Sequence, residues 1–199
     1  FETRTEGLTV ASRFLVNAAG IGAGEVARWF GEDPPLGPVV PNMLVTEPLP
    51  IFVTRSVGVC GGDVYVRQVS RGNVILGGGR GWGDADLRYS RPETDQSLSG
   101  MARTLDLVPA LKGAHVIRTW AGIDGQMPDR IPVIGFSATT PNLVHVFGFS
   151  GHGFQLGPAV GEIVAELITD GRSASPLAPF AIGRFPPSIE PPAPAGVEH

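Results

Sequence analysis

Three glycine-rich segments and four histidines are the places where this sequence could do chemistry. In Gly148-Phe149-Ser150-Gly151-His152-Gly153-Phe154 the glycines let the backbone approach a flat ligand closely. A helical pattern follows, so the free N–H groups at its start carry partial positive charge. Loop and helix end together suit a developing anion, with Ser150 and His152 as further hydrogen-bonding groups. An ordinary strand-to-helix turn is the other reading of the same residues. Asn17-Ala18-Ala19-Gly20-Ile21-Gly22-Ala23-Gly24 mimics a GxGxxG dinucleotide fingerprint, but the third glycine position holds Glu25. A carboxylate there repels a pyrophosphate at a helix start. The acidic ribose partner is missing too, since the nearest candidate, Glu47, lies in a proline-flanked turn. A tight turn, or a secondary backbone contact to a nucleotide held mainly elsewhere, fits better. The segment Gly77 to Gly83 lacks the Gly-Lys-Ser/Thr end of a phosphate loop and reads as a flexible loop near a cleft.

The remaining chemistry is mostly excluded. His115 and His145 stand in apolar strand-like runs, His152 in the loop, and His199 is the last residue. No histidine pair has the spacing of metal ligands on a helix, so no metal site is expected. The single cysteine, Cys60, rules out an internal disulfide framework and cysteine-ligated zinc or iron–sulfur sites. Phe149-Ser150-Gly151 has a serine without the frame of a nucleophile elbow. A net charge of −4 argues against a basic face for nucleic acid. With 42% hydrophobic and 17% charged residues, the chain has a core and is not globally disordered. Glycine (28) and proline (19) make up nearly a quarter of the 199 residues, which implies many turns and close backbone approaches. No apolar run reaches membrane-helix length and no signal peptide is visible, so a cytoplasmic location is expected. The chain opens on Phe-Glu-Thr-Arg without an initiator methionine, which reads as a piece of a longer protein.

Elements must position these segments. Glu2 to Thr5 and Leu8 to Val10 flank a hairpin turn at Glu6-Gly7. Phe14-Leu15-Val16 reads as a buried strand, followed by a helix carrying Val26, Ala27, Trp29 and Phe30 and stopped at Gly31. Met43 to Thr46, Val64 to Val69, Val74 to Leu76 and His115 to Trp120 read as strands, with Arg71-Gly72-Asn73 as a turn. Residues 93–111 place Leu98, Met101, Ala102, Leu105 and Val108 at helical spacing. Residues 121–130 read as a loop before Ile131 to Gly135, and Leu143 to Phe147 as a strand. Leu156, Ala159, Val160, Ile163, Val164, Leu167 and Ile168 give the strongest helical period, with Pro158 tolerated in the first turn and Gly171 as the stop. The proline-rich stretch 186–199 reads as an extended or disordered tail.

Five segments, in this order, carry a resemblance. They are Phe14 to Gly20; Met43 to Pro48; Tyr65 to Gln68 with Ile75 to Gly78; Trp120 to Ile123 with Pro128 to Gly135; and Gly148 to Phe154 with Gly157 to Ala159. Together they resemble the C-terminal half of the FAD-dependent D-amino-acid oxidase, glycine oxidase and sarcosine oxidase family, over roughly residues 1–185. The wording is similar to that of flavin subunits of heteromeric sarcosine, opine, proline and hydroxyproline oxidoreductases and of hydrogen cyanide synthase.

The resemblance implies an α+β fold, the C-terminal part of a two-domain FAD oxidoreductase. It divides the chain into FAD-domain segments at 1–36 and 121–185 and an antiparallel-sheet substrate domain at 37–120, with the tail at 186–199. It implies oxidation of an amine or amino acid, with hydride passing to flavin N5 and the imine then hydrolysed. No dedicated general base is needed if the amine binds neutral. It places Asn17, Ala18, Ala19 and Gly20, Gly122 and Gly125, and Gly148, Phe149, Ser150, Gly151, His152, Gly153, Phe154 and Gln155 against FAD. Tyr65, Arg67, Trp120, Asp124 and His152 are candidate substrate-site liners. Tyr65 and Trp120 suit core packing equally well, and Arg67 a surface charge.

Two departures follow. The family's N-terminal Rossmann half is absent, so it is expected on the same protein or another chain, with a hetero-oligomer possible. Where glycine and D-amino-acid oxidases carry an arginine that grips the substrate carboxylate, this chain has Asp124, which would repel one. Either Arg67, Arg118 or Arg130 substitutes, or the substrate presents something else there. The alternatives are an inactive nucleotide-binding or lid subunit, a nicotinamide dehydrogenase built on Gly20 to Gly24, and a structural β-rich interaction domain.

Overall fold

The computed structural model describes residues 1–62 and 64–185, so the proline-rich stretch read at 186–199 lies outside the described residues. The fold is α+β. Among the described residues the α-helices are α1 (Ala23–Trp29), α2 (Thr94–Leu107) and α3 (Gly153–Asp170). The chain divides into two compact units, one of residues 1–38 with 124 onward, the other of residues 39–123.

The first unit holds a three-stranded sheet. Strand Leu143–Phe147 lies in its middle, antiparallel to Val133–Phe136 and parallel to Leu15–Asn17. Its core is Ala23, Ala27, Met127, Val133, Phe147 and Ile182, with Leu36 and Phe185 packed against it. The alanines on α1 let that helix lie close to the sheet. The run read as a buried strand is only partly so. Leu15–Asn17 forms an edge strand, with Asn17 buried but Val16 exposed. Gly31 stops α1 as expected, with a left-handed φ of 80°. The helical period at 153–170 is real, but only Val160 and Leu167 of its apolar face are buried within the chain. The stretch read as a loop at 121–130 contains a short strand, Asp124–Gln126.

The second unit is built on a five-stranded antiparallel sheet, ordered Val116–Ala121, Pro41–Pro48, Asn73–Arg80, Tyr65–Gln68 and Val57–Gly58. One face is buried by Leu44, Val66, Val74 and Leu76 against Leu111, Met101, Leu105 and Val108. The segment read as a glycine loop is a correction: Gly77, Gly78 and Gly79 continue the strand from Asn73. Helix α2 lies directly on that backbone. A Cβ added at Gly100 would sit 3.0 Å from the Gly78 carbonyl, and one at Gly79 would sit 2.8 Å from the Gln96 carbonyl oxygen. These glycines make room for a helix and not for a ligand. The same close approach shifts the buried stripe of α2 to Ser97, Gly100 and Thr104 and leaves Leu98 exposed. His115 is also corrected. It precedes its strand, stands exposed, and donates from Nδ1 to Glu47 Oε1 at 2.8 Å.

Candidate functional site

Strand Leu143–Phe147 ends in Gly148, whose φ is 75°. A side chain there would strike Met127 Cγ at 2.6 Å. The next turn is held in left-handed conformations at Ser150 (φ 53°) and Gly151 (φ 87°). Neighbouring backbone over-determines this strain. Gln126 bridges Phe149 in an antiparallel pair, Ser150 N–H donates to the Gly125 carbonyl at 3.1 Å, and His152 N–H to the Phe149 carbonyl at 3.0 Å. Asp124 completes the tie. Its Oδ2 accepts Gly151 N–H at 2.6 Å, and its Oδ1 accepts Gly125 N–H at 2.8 Å.

Helix α3 starts directly behind this turn. His152 stands at its N-cap without a side-chain hydrogen bond, and no acid lies in its first turn. Its leading N–H groups therefore keep their partial positive charge. A Cβ at Gly151 would meet open space, and Phe154 is 94% exposed, so neither surface is used in packing within the chain.

The turn after Leu15–Asn17 reaches the same place. An added Cβ at Gly125 would lie 3.6 Å from the Gly20 carbonyl oxygen and 3.0 Å from Leu36 Cδ1, and one at Gly148 would lie 3.5 Å from that same Leu36 atom. The structure thus brings Asn17 to Gly20, Asp124 with Gly125, and Gly148 to Gly151 together within the first unit. Ala18, Ala19 and Gly20 are exposed there. Asn17 is buried and anchored. Its Nδ2 donates to the Ala23 carbonyl at 2.9 Å and faces His145 Nδ1 at 3.2 Å. The Ala23 carbonyl fixes which end of the amide is the donor, so His145 Nδ1 accepts and its proton sits on Nε2. That proton is given to Glu32 Oε2 at 2.7 Å. Asn17 Oδ1 is left as a buried acceptor with no protein partner.

Glu32 closes this chain of contacts. Burial by itself would raise its pKa. Hydrogen bonds from the Ser137 hydroxyl (2.6 Å), the Ala138 N–H (2.8 Å) and His145 outweigh that and hold it below the usual carboxylate value. Sequence reasoning saw His145 only as a histidine in an apolar strand and missed Glu32. A polar residue at the centre of a buried strand was the available signal, but its partner lies 113 residues away.

In the second unit, register decides which residues share a face. Trp120, Met43, Gly77 and Tyr65 are directly cross-strand, and so are Arg118, Val45, Ile75 and Arg67. These two rows lie on the face opposite the buried Leu44, Leu76 and Val66. Neither Arg67 nor Arg118 has a salt-bridge partner among the described residues. Gly122 belongs to this unit, and a Cβ there would meet open space. Arg130, with φ 59°, belongs to the first unit beside Asp129, whose carboxylate pairs with Arg184. Among the described residues there is no cluster that could hold a metal ion, and no helix is long and apolar enough to cross a membrane.

Comparison with known proteins gives the family and the fold. The sequence pattern of the family described as FAD dependent oxidoreductase matches residues 2–167. Hydrogen cyanide synthase subunit HcnC of Pseudomonas aeruginosa is 28% identical over 176 residues, covering 88% of this chain and 41% of that protein. Glycine oxidase of Geobacillus kaustophilus is 28% identical over 181 residues, covering 90% of this chain and 47% of that protein. The crystal structure of L-proline dehydrogenase from P. horikoshii superposes with a TM-score of 0.79 at 29% identity, over 92% of this chain and 50% of that one. The chain spans about half the length of the proteins it matches.

Proposed function

This chain belongs to the FAD dependent oxidoreductase family, and on that premise we propose that it carries the flavin-facing loop and the substrate-facing sheet of an enzyme that oxidises the carbon–nitrogen bond of a small amine or amino acid. The observation that carries the reading is the glycine turn at 148–151 clamped in front of the uncapped N-terminus of α3. The residues suit FAD in three respects. Gly20 and Gly151 present backbone with open space where a side chain would be. The first-turn N–H groups of α3 offer donors for negative charge at the N1–C2 edge of a reduced flavin. Asn17 Oδ1 is a buried acceptor in need of a donor.

Bound FAD supplies a hydride acceptor for the substrate carbon, leaving an imine that water hydrolyses. The chain's own part is binding and orientation. The turn at Asn17 to Gly20 and the loop at Gly148 to Gln155 seat the flavin. Trp120, Tyr65, Arg67 and Arg118 form the face that meets substrate. Asp124 spends its carboxylate on two backbone N–H groups, so a carboxylate on the substrate needs an arginine as its partner, with Arg67, Arg118 and Arg130 the candidates. The adenosine-binding half is supplied by the same protein or by a partner chain. That arrangement is supported by a relative whose name marks it as a subunit and by a chain that spans 41% of it.

The test uses the full-length protein or its complex. We expect absorbance bands at about 370 and 450 nm, and anaerobic bleaching of the longer band by a panel of N-methyl and cyclic amino acids. A flavin-bearing sample that no amine or amino acid bleaches would overturn the substrate class. A colourless sample that gains no band with added FAD would overturn the cofactor seat.

A further inference from the structure

We propose that Asp124 is a positioning residue for the cofactor loop, which both holds the 148–151 turn in shape and sets the reduction potential of the flavin seated there. The inference rests on the flavin reading of that loop and deepens it. Its grounds lie in the first unit alone.

The turn is strained. Ser150 has a left-handed φ of 53° with no glycine to relieve it, and Gly151 has a φ of 87°. Such a turn persists only where other contacts over-determine it. Three contacts do so, and they come from one short strand. Gln126 bridges Phe149, the Gly125 carbonyl accepts Ser150 N–H, and Asp124 Oδ2 accepts Gly151 N–H at 2.6 Å. The first two are backbone pairings that any side chain permits. The third is the side chain's own, and it acts on the residue whose backbone the flavin reading exposes to the ring. Asp124 Oδ1 is aimed by Gly125 N–H at 2.8 Å, so the carboxylate is held at both oxygens.

Asp124 also brings charge. Gly151 is two residues ahead of Gly153, where α3 begins, and the first turn of α3 carries no acid of its own. The partial positive charge of the helix end stabilises an anion in front of it. A full negative charge one hydrogen bond from Gly151 opposes that stabilisation. Reduction of flavin adds negative charge at the same edge, so Asp124 makes the flavin harder to reduce than the helix end alone would.

The two effects separate by substitution in the full-length, FAD-loaded protein. Asp124→Asn keeps the shape and one accepting oxygen but removes the charge. Asp124→Ala removes both. We expect Asp124→Asn to retain flavin and to shift the equilibrium with a reference dye towards reduced flavin by at least about tenfold, which for a two-electron couple is about 30 mV more positive. We expect Asp124→Ala to weaken FAD binding by at least about tenfold, measured by flavin fluorescence, with the asparagine variant restoring it. Glu162→Gln, an equal change of charge further along α3, serves as the control and leaves both readings where they were. A potential in Asp124→Asn equal to that of the unaltered protein overturns the electrostatic half of the proposal. FAD affinity in Asp124→Ala equal to that of the unaltered protein overturns the positioning half. Loss of folding in Asp124→Asn overturns both, because the carboxylate would then serve the fold and not the loop. If the unaltered protein takes up no flavin, the failure lies with the functional reading itself.

Discussion

Substituting Gly151 by valine separates the fold from the site. Gly151 has a φ of 87°, where a β-branched residue is strained by roughly 1–3 kcal/mol. Its added Cβ would meet nothing within 4 Å, so no clash adds to that strain in the chain itself. The Gly151 N–H bond to Asp124 survives, because valine keeps its N–H. The melting temperature should therefore fall by at most about 4–8 °C for a loss near 2 kcal/mol, and by less in the longer full-length protein. Flavin binding should fall far more. The isopropyl group projects into the space where the proposal seats the ring, and displacing it by even about 3 kcal/mol weakens binding more than a hundredfold. Gly171→Val is the matched control. Gly171 ends α3 at φ 71°, also with open space around it, so it carries similar strain away from the loop. The assay is flavin retained after desalting the full-length protein, with circular dichroism melting in parallel. The reasoning is refuted if Gly151→Val keeps its flavin, or if Gly171→Val loses flavin equally.

Gly100→Ala should destabilise by about 1 kcal/mol, since crowding the Gly78 backbone at 3.0 Å outweighs the gain in helix propensity. Gly161→Ala, whose Cβ meets nothing within 4 Å, should stabilise by about 0.5–1 kcal/mol, and urea unfolding that gives both changes the same sign would contradict the packing of α2 on the sheet. Glu32→Ala strips the buried His145 Nε2–H of its acceptor and should cost about 2 kcal/mol in chemical denaturation, where a cost below about 0.5 would show that the pair is not sealed from water. Glu32 is held below its ordinary value of 4.5 and Asp129 below 3.8, so the unfolded chain takes up protons first as the pH falls. The stability these two groups contribute is therefore complete above those ordinary values and is lost as the pH falls below them towards the lower values of the folded state, and Glu32→Gln should melt with a shallower acid dependence than the unaltered protein.

Much of this organisation is local, and local chemistry is legible in a sequence. Alternation at Val64 to Val69, the Arg71-Gly72-Asn73 turn and the three-and-four spacing of 156–168 each depend on neighbours within one turn or one hairpin. The glycine loop before α3 was legible for the same reason. Leu143 to Phe147 feeds it, Gly148 and Gly151 supply its left-handed backbone, and Pro158 is tolerated behind it. The resemblance to FAD-dependent amine oxidases rested on five such local segments in order, and the family match over residues 2–167 agrees with it.

Tertiary structure alone decided what the polar and glycine residues were for. Gly77 to Gly79 look like a loop in sequence and form a strand, because the reason for them is a helix some twenty residues later pressing on their backbone. Asp124 looks like an obstacle to a carboxylate substrate, and its carboxylate is bonded to Gly151, 27 residues on. Glu32, His145 and Asn17 form one buried chain of hydrogen bonds across separations of 113 and 128 residues. The physical reason is the same in each case. Backbone propensity and hydrophobic period act over a few residues, whereas the partner that satisfies a buried charge, or fills the space above a glycine, is chosen by packing between elements far apart in the chain.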